Sequence, residues 1–249
     1  MDKTLSNPSP VRPLDPAVLV ARDHEDVVVG EEIVRHRLAS RVVHWTVALG
    51  FFLSLATGMP IWMPLFGWMA ALFGGLSVCR VLHPWFGLAF FGASAVMFFE
   101  WIGDMVLEPR ERKQWLGPRV FEYLRWEAED PEVGKYNGGQ KLFFWAVGLG
   151  ALGLLLSGAM LWFPEYFSKL MMEIAFVIHD LTFILFAVAI VFHIYLGTAA
   201  EPGTFGSMVR GTVTKRWARL HHPRWYREVT GEVTGEVTGE VHGEETRRD

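Results

Sequence analysis

The 249-residue chain has a single cysteine, Cys79, and that scarcity removes several chemistries at once. A disulfide framework needs paired cysteines, an iron–sulfur cluster draws on four thiolates, and covalent c-type haem attachment needs Cys-x-x-Cys-His. An excess of basic charge is also missing. The 23 Lys and Arg stand against 27 Asp and Glu, a formal charge of −4, which leaves no electrostatic footprint for nucleic acid. Global disorder is excluded because 51% of the residues are hydrophobic. The most informative absence is local. No Asp, Glu, Lys or Arg occurs from Val42 to Cys79 or from Leu142 to Pro164; only Asp180 interrupts Ile174–Ala200, and only Glu100 interrupts Val81–Gly103.

Apolar runs of about 20 residues can cross a bilayer. The sequence therefore predicts four spans, at about 42–60, 83–103, 142–163 and 174–198. Ile61–Val78 is apolar too, but Pro60, Pro64 and Gly74-Gly75 read as an interfacial connection. Basic residues decide the orientation. Six precede residue 42, seven run from Arg110 to Lys141 and eight follow residue 198, whereas the other two connections hold only Arg80 and Lys169. The positive-inside rule then puts both termini and the 104–141 loop in the cytoplasm, and a fifth span at 61–78 would place that basic loop outside. The expected fold is an all-α, integral membrane four-helix bundle at 42–200. A flexible cytoplasmic N-terminal arm occupies 1–41, with prolines at 8, 10, 13 and 16, too long a polar start for a signal peptide. A cytoplasmic tail occupies 201–228. Residues 229–249 repeat Val-Thr-Gly-Glu, have no aromatic residue, and are expected to be disordered.

Four of the nine histidines fall in or at the rim of the spans: His44, His83, His179 and His193. His179 and His193 are 14 residues apart, about 1400° of helix and within roughly 40° of whole turns, with a rise of about 21 Å. One helix therefore presents two imidazoles on one face, one toward each membrane surface. The directions of the spans pair His44 with His193 on the inner side and His83 with His179 on the outer side. A lone rim histidine is more often a polar anchor. Four that pair by depth point instead to axial ligation of two stacked b haems, with no open position on the iron and hence electron transfer. His36, in Arg35-His36-Arg37, is the spare candidate for the inner site, and His221 and His222 read as part of a tail at the lipid surface. Gly50, Gly58, Gly87, Gly92, Gly148, Gly150, Gly153 and Gly158 allow close approach of either a porphyrin or a neighbouring helix. Asp180 either hydrogen-bonds a ligand or caps its span.

The sequence resembles the gamma subunit, cytochrome b556, of membrane-bound respiratory formate dehydrogenases. The resemblance rests on Ser40-Arg41-Val42-Val43-His44-Trp45-Thr46, Leu82-His83-Pro84-Trp85-Phe86-Gly87, the segment Gly134–Lys141, the 179/193 pair and Arg216–Tyr226, in order over about residues 33–228. It implies that His83 and His179 bind an outer haem b and His44 and His193 an inner one. It also implies that menaquinone or ubiquinone is reduced near the inner haem, beside Tyr136-Asn137-Gly138-Gly139-Gln140. There Asn137, Gly138 and Gln140 are the quinone-contacting candidates: Asn137 can bond a carbonyl and Gly138 permits close backbone approach. The plain alternative is an Asn-Gly turn leading into span three. The resemblance further implies a bacterial inner-membrane location, with lipid around the spans, an iron–sulfur beta subunit on the periplasmic side, and a catalytic molybdenum or tungsten alpha subunit, this chain having no catalytic residues for formate. Gly139 stands in a neighbourhood where the family usually has Ala, and the N-terminal arm and repeat tail have no counterpart. Two other readings stand beside it: the cytochrome b of a hydrogenase or another periplasmic oxidoreductase, and a haem-free membrane anchor or transporter.

Overall fold

A computed structural model describes residues 15–117 and 132–232. In chain order the elements are α1 (Pro16–Val20), β1 (Val27–Val29), β2 (Glu32–Val34), α2 (Leu38–Trp62), a 3-10 helix (Pro64–Phe73), α3 (Leu76–Trp101), α4 (Pro109–Trp115), α5 (Gly138–Trp162), α6 (Lys169–Tyr195), α7 (Thr204–Val209), β3 (Thr212–Thr214), α8 (Lys215–His221) and α9 (Pro223–Thr230). Four of these, α2, α3, α5 and α6, are long and apolar enough to cross a membrane. Each starts ahead of its predicted span, because a helix satisfies its own backbone groups whether the flanking side chains are apolar or charged.

Local chemistry sets the helix ends. Met63 is extended, as a residue before proline must be, and stops α2 at Pro64. Gly74 and Gly75, at φ +92° and +117°, turn the chain into α3 in a conformation that glycine adopts without strain. Asn137 opens α5 and Ser168 opens α6 as side-chain N-caps. The 3-10 helix is too short to span a bilayer and exposes Leu65, Trp68 and Leu72 along one side, the pattern of a segment lying along an interface.

Within the bundle α2 packs closely on α3, and α5 on both α3 and α6. Helix α6 buries only Ala175 and Phe186, and it meets α2 and α3 through the side chains of His179, Asp180, Phe183, Phe186 and His193 rather than by close backbone packing.

One end of the bundle carries a small cap that the sequence reading does not contain. β1 and β2 form a hairpin through Gly30 (φ +59°), and β3 adds to β2 with Ile33 opposite Val213. Its core is Ile33, Val213, Trp217, Ala218, Trp225 and Tyr226. The flexible arm predicted for 1–41 is thus structured from residue 15 onward. The run Val27-Val28-Val29-Gly30-Glu31-Glu32-Ile33-Val34 is a β-branched hairpin whose apolar face has somewhere to go once 212–226 folds beside it. The 201–228 tail is folded for the same reason. Val229 and Thr230 complete α9, Gly231 ends it at φ +71°, and Glu232 accepts from the Tyr226 hydroxyl at 2.9 Å. The rest of the Val-Thr-Gly-Glu tail, residues 1–14 and the middle of the 104–141 loop lie outside the described residues.

Charge locks the cap in place. The Arg35 guanidinium sits 4.8 Å from the Trp217 ring, 5.4 Å from Trp225 and 5.8 Å from Tyr136, and donates to the Lys135 carbonyl at 2.6 Å. Burial lowers its pKa to about 10, so it stays charged and is held by ring faces and a carbonyl. Arg224 forks onto Glu108 at 2.7 and 3.0 Å, and Lys135 reaches Glu25 at 2.8 Å and Asp26 at 3.1 Å. His222 is buried rather than at the lipid surface, its Nδ1 donating to the Gly134 carbonyl at 2.6 Å.

Two outcomes follow for the cap. Trp225→Ala should cost about 3–5 kcal/mol of cap stability, because the indole is almost fully enclosed. Limited trypsin digestion of membranes should then cut among Arg210–Arg227 where the wild type resists; equal resistance of the two would contradict the packing. Burial also holds the His222 pKa well below its ordinary 6.5. The unfolded cap therefore binds more protons than the folded one. The contribution from a neutral His222 is complete above pH 6.5 and is lost progressively as pH falls below it. Protease resistance that drops on acidification in the wild type, and drops less in His222→Gln, is the expected result.

Candidate functional site

The four predicted histidines come together as two pairs. The ring centroids of His44 and His193 lie 6.1 Å apart, and those of His83 and His179 6.2 Å apart. Two imidazoles binding one metal from opposite sides place their ring centres roughly 6 Å apart, from a metal–nitrogen bond of about 2 Å and about 1 Å more to each ring centre. Among the described residues no group of three or more His, Cys, Asp or Glu gathers as for a metal ion. Two imidazoles alone suit a metal whose other positions a macrocycle fills, which is the donor set of a six-coordinate haem.

Ring orientation in the pair far from the cap is fixed by hydrogen bonds. His83 Nδ1 lies 3.0 Å from the Ser54 carbonyl oxygen, which can only accept, so Nδ1 carries the proton and the Nε2 lone pair is free for a metal. Ser157 donates its one proton to the Gly153 carbonyl at 2.7 Å and so accepts from His179 Nδ1 at 2.9 Å, fixing the same tautomer. This is the supporting shell that metal-ligating histidines usually have. The cap-side pair is held differently. His193 stacks on Phe143 at 4.7 Å and 7°, His44 meets Trp45 edge-on at 5.2 Å, and His44 Nδ1 is buried without a partner among the described residues. Arg41, one turn toward the cap from His44, is buried; it donates to the Val209 carbonyl at 2.7 Å, and its Nε has no partner among the described residues.

A spacing of seven residues organises both tiers. His44, Phe51 and Gly58 follow one another on α2, His83, Phe90 and Met97 on α3, and His179, Phe186 and His193 on α6. Seven residues make nearly two turns, a rise of about 10 Å on one face. Midway between the pairs, Phe51, Phe90 and Phe186 meet with centroids 5.9–6.0 Å apart. This aromatic partition was missed in the sequence reading, although the His-x6-Phe-x6-His pattern of α6 was there to find.

The glycines separate into two kinds. A Cβ on Gly58 would lie 2.8 Å from His83 Cε1, and one on Gly158 would lie 3.2 Å from His179 Cε1, so these two make room for the paired imidazole rings. Gly50 lies against the backbone of Phe90 and serves helix packing, while Gly87 and Gly92 face open space. Asp180 neither caps its helix nor bonds a histidine; it accepts from Trp62 Nε1 at 3.1 Å and ties α6 to the end of α2.

The quinone candidates lie at the start of α5. Asn137 Oδ1 accepts from Gln140 N–H at 2.9 Å and Gln140 Oε1 accepts from Asn137 N–H at 3.0 Å, a reciprocal cap. Gly138 lies buried against the Trp115 indole. Lys141 pairs with Glu111 at 2.8 Å in a buried bridge, and Trp145 donates to the Met105 carbonyl at 2.9 Å. All three candidates thus help to build the turn. Phe143, one turn further on, is the residue stacked on His193, so this turn lies at the cap-side pair.

Comparison with known proteins gives this geometry a context. The profile of a family described as prokaryotic cytochrome b561 matches residues 35–211. The nitrate-inducible formate dehydrogenase cytochrome b556 subunit of Escherichia coli K12 is 35% identical over 201 residues, covering 79% of this chain and 91% of that protein. A second cytochrome b556 formate dehydrogenase subunit of the same strain is 34% identical, covering 80% and 94%. The corresponding Haemophilus influenzae subunit is 33% identical, covering 79% and 83%.

Because the Gly58 position is closed by the His83 ring, Gly58→Ala should disturb the far pair and lower the haem content of purified protein. Gly92→Ala, with nothing near its Cβ, should leave it unchanged. Equal haem content in both variants would contradict the role given to Gly58.

Proposed function

The chain belongs to the prokaryotic cytochrome b561 family, and we propose that it is the membrane cytochrome b subunit of a formate dehydrogenase complex. The observation that carries this reading is the pair of imidazole pairs, each at the separation that one metal bridges. In it, His83 and His179 hold one haem b and His44 and His193 a second. Haems bound there supply one-electron carriage between an iron–sulfur partner at the far side and a quinone at the cap side. The relatives' names put formate at the head of that chain of donors.

The residues of this chain perform the rest. Ser54 and Ser157 keep the far imidazoles in the tautomer that ligates. Twenty-one of the 23 basic residues fall in the segments on the cap side, which orients the cap toward the cytoplasm of a bacterial inner membrane and the far pair toward the periplasm. The reciprocal cap uses the side-chain oxygens of Asn137 and Gln140, so their amide nitrogens are the donors left to meet a quinone carbonyl, while Gly138, buried against Trp115, packs the turn that carries them. The quinone, menaquinone or ubiquinone, takes its two protons from the cytoplasm. Moving electrons inward against that uptake works across the membrane field, at about 2.3 kcal/mol per charge per 100 mV. Formate itself is oxidised in a partner subunit that holds molybdenum or tungsten.

The test is a pyridine haemochrome assay on the purified chain. Two haems b per wild-type chain and one per His193→Ala chain support the reading; no haem, or one in the wild type, contradicts it. In membranes of the source cell, reduction of the haems by formate, but not by hydrogen, separates a formate dehydrogenase subunit from a hydrogenase subunit.

A further inference from the structure

Outside the two pairs one further imidazole is enclosed at the cap end. His36 is 2% exposed, and its ring lies between Trp101, at 5.8 Å, and Tyr136, at 6.0 Å. Its backbone is held on β3's approach, where both Arg35 and His36 donate to the Gly211 carbonyl, at 2.8 and 3.2 Å. Its Nδ1 is buried and has no partner among the described residues. A buried polar group left without a partner costs about 1–3 kcal/mol, so such an atom calls for a physical account. The neighbouring cases have an account already: the Arg35 nitrogens face aromatic rings, and Arg41 and His44 belong to the cap-side histidine pair. Nothing in the cap or bundle explains Nδ1 of His36.

Its position does. The ring contacts Tyr136, the residue before Asn137, so it stands on the turn where the quinone reading places the headgroup. We propose that His36 is part of the quinone site, donating a hydrogen bond to a quinone carbonyl beside Asn137 and passing a proton to that oxygen when the quinone is reduced. The proposal rests on the quinone reading above and adds a residue to it. Reduction of a quinone to a quinol takes two electrons and two protons. The electrons arrive by way of the cap-side pair. For one of the protons, an N–H bond of His36 breaks as the quinol O–H forms, and the other ring nitrogen takes a proton from solvent, so the ring ends neutral with its tautomer exchanged. The charged groups around the ring, Arg35, Lys135 and Arg41, are all cationic, and His44 is the other titratable neighbour. Burial first and those cations second keep the resting imidazole neutral, and the cations favour the negative charge that develops on a quinone oxygen.

The test runs the reaction backward in membranes holding the full chain with its haems, using menadiol as the quinol and following haem reduction by stopped flow. His36→Leu removes donor and relay; His36→Gln keeps a donor without the relay. In His36→Leu, reduction by menadiol should slow about a hundredfold, the scale of a lost general acid–base, and its solvent deuterium effect should change. Reduction by dithionite should still give the full two-haem spectrum. In His36→Gln the menadiol concentration dependence should be retained while the maximal rate falls. Rates equal to wild type in a variant with full haem content would overturn the proposal. So would loss of haem from either variant, which would assign the ring to the cap-side haem. If wild-type haems are not reduced by menadiol at all, the quinone reading itself fails and the proposal with it.

Discussion

Four imidazoles inside an apolar bundle are the constraint from which the rest of this structure follows. An imidazole in lipid must have partners, and two kinds are found here. One is a support at Nδ1 or a ring face, as Ser54, Ser157 and Phe143 provide; the other is a second imidazole about 6 Å away. The pairing dictates what the helices do. α6 must bring His179 and His193 to the same face, which 14 residues accomplish, and it must stand off α2 and α3 by the width of two side chains, which leaves it packed mainly on α5. Gly58 and Gly158 are small because imidazole rings occupy the space beside them, and Phe51, Phe90 and Phe186 fill the level between the tiers.

The cap depends on the same end of the bundle. It draws on segments far apart in sequence, the 27–34 hairpin, the 132–136 approach to α5 and the 212–230 segment, and joins them through a buried arginine held by aromatic rings, a buried histidine and ion pairs at its edge. The result is a rigid floor beneath the cap-side histidine pair. The turn at Asn137 is held from below by Arg35, which grips the carbonyl of Lys135, and from the side by the Lys141–Glu111 bridge. In the quinone reading proposed above, such pre-organisation aims the turn's donors before the substrate arrives.

Much of this was legible in the sequence because it depends on local period and composition. Runs with at most one charged residue mark the four helices apolar enough to cross a membrane, and helix geometry alone puts His179 and His193, 14 residues apart, on one face. The cap was not legible, because three-residue strands become strands only when distant partners cover them; Val27–Val29 alone is equally a stretch of arm. His222 reads as a surface residue beside Pro223 and Arg224 until Gly134, 88 positions away, accepts its proton. Asp180 beside His179 invited a ligand-supporting role, yet a helix turns about 100° per residue, so adjacent residues point to different neighbours and Asp180 finds Trp62. Asn137 and Gln140 show the reverse: the spacing of a capping box was present in the sequence and is what the structure builds.

The central claim, two irons each held by two neutral imidazoles of this chain, is tested most directly by low-temperature electron paramagnetic resonance of the oxidised, purified protein. The account predicts two low-spin ferric signals of bis-imidazole type, one of which disappears in a variant lacking either member of one pair. A high-spin signal in the wild type, or a single low-spin species that survives removal of either pair, would contradict it.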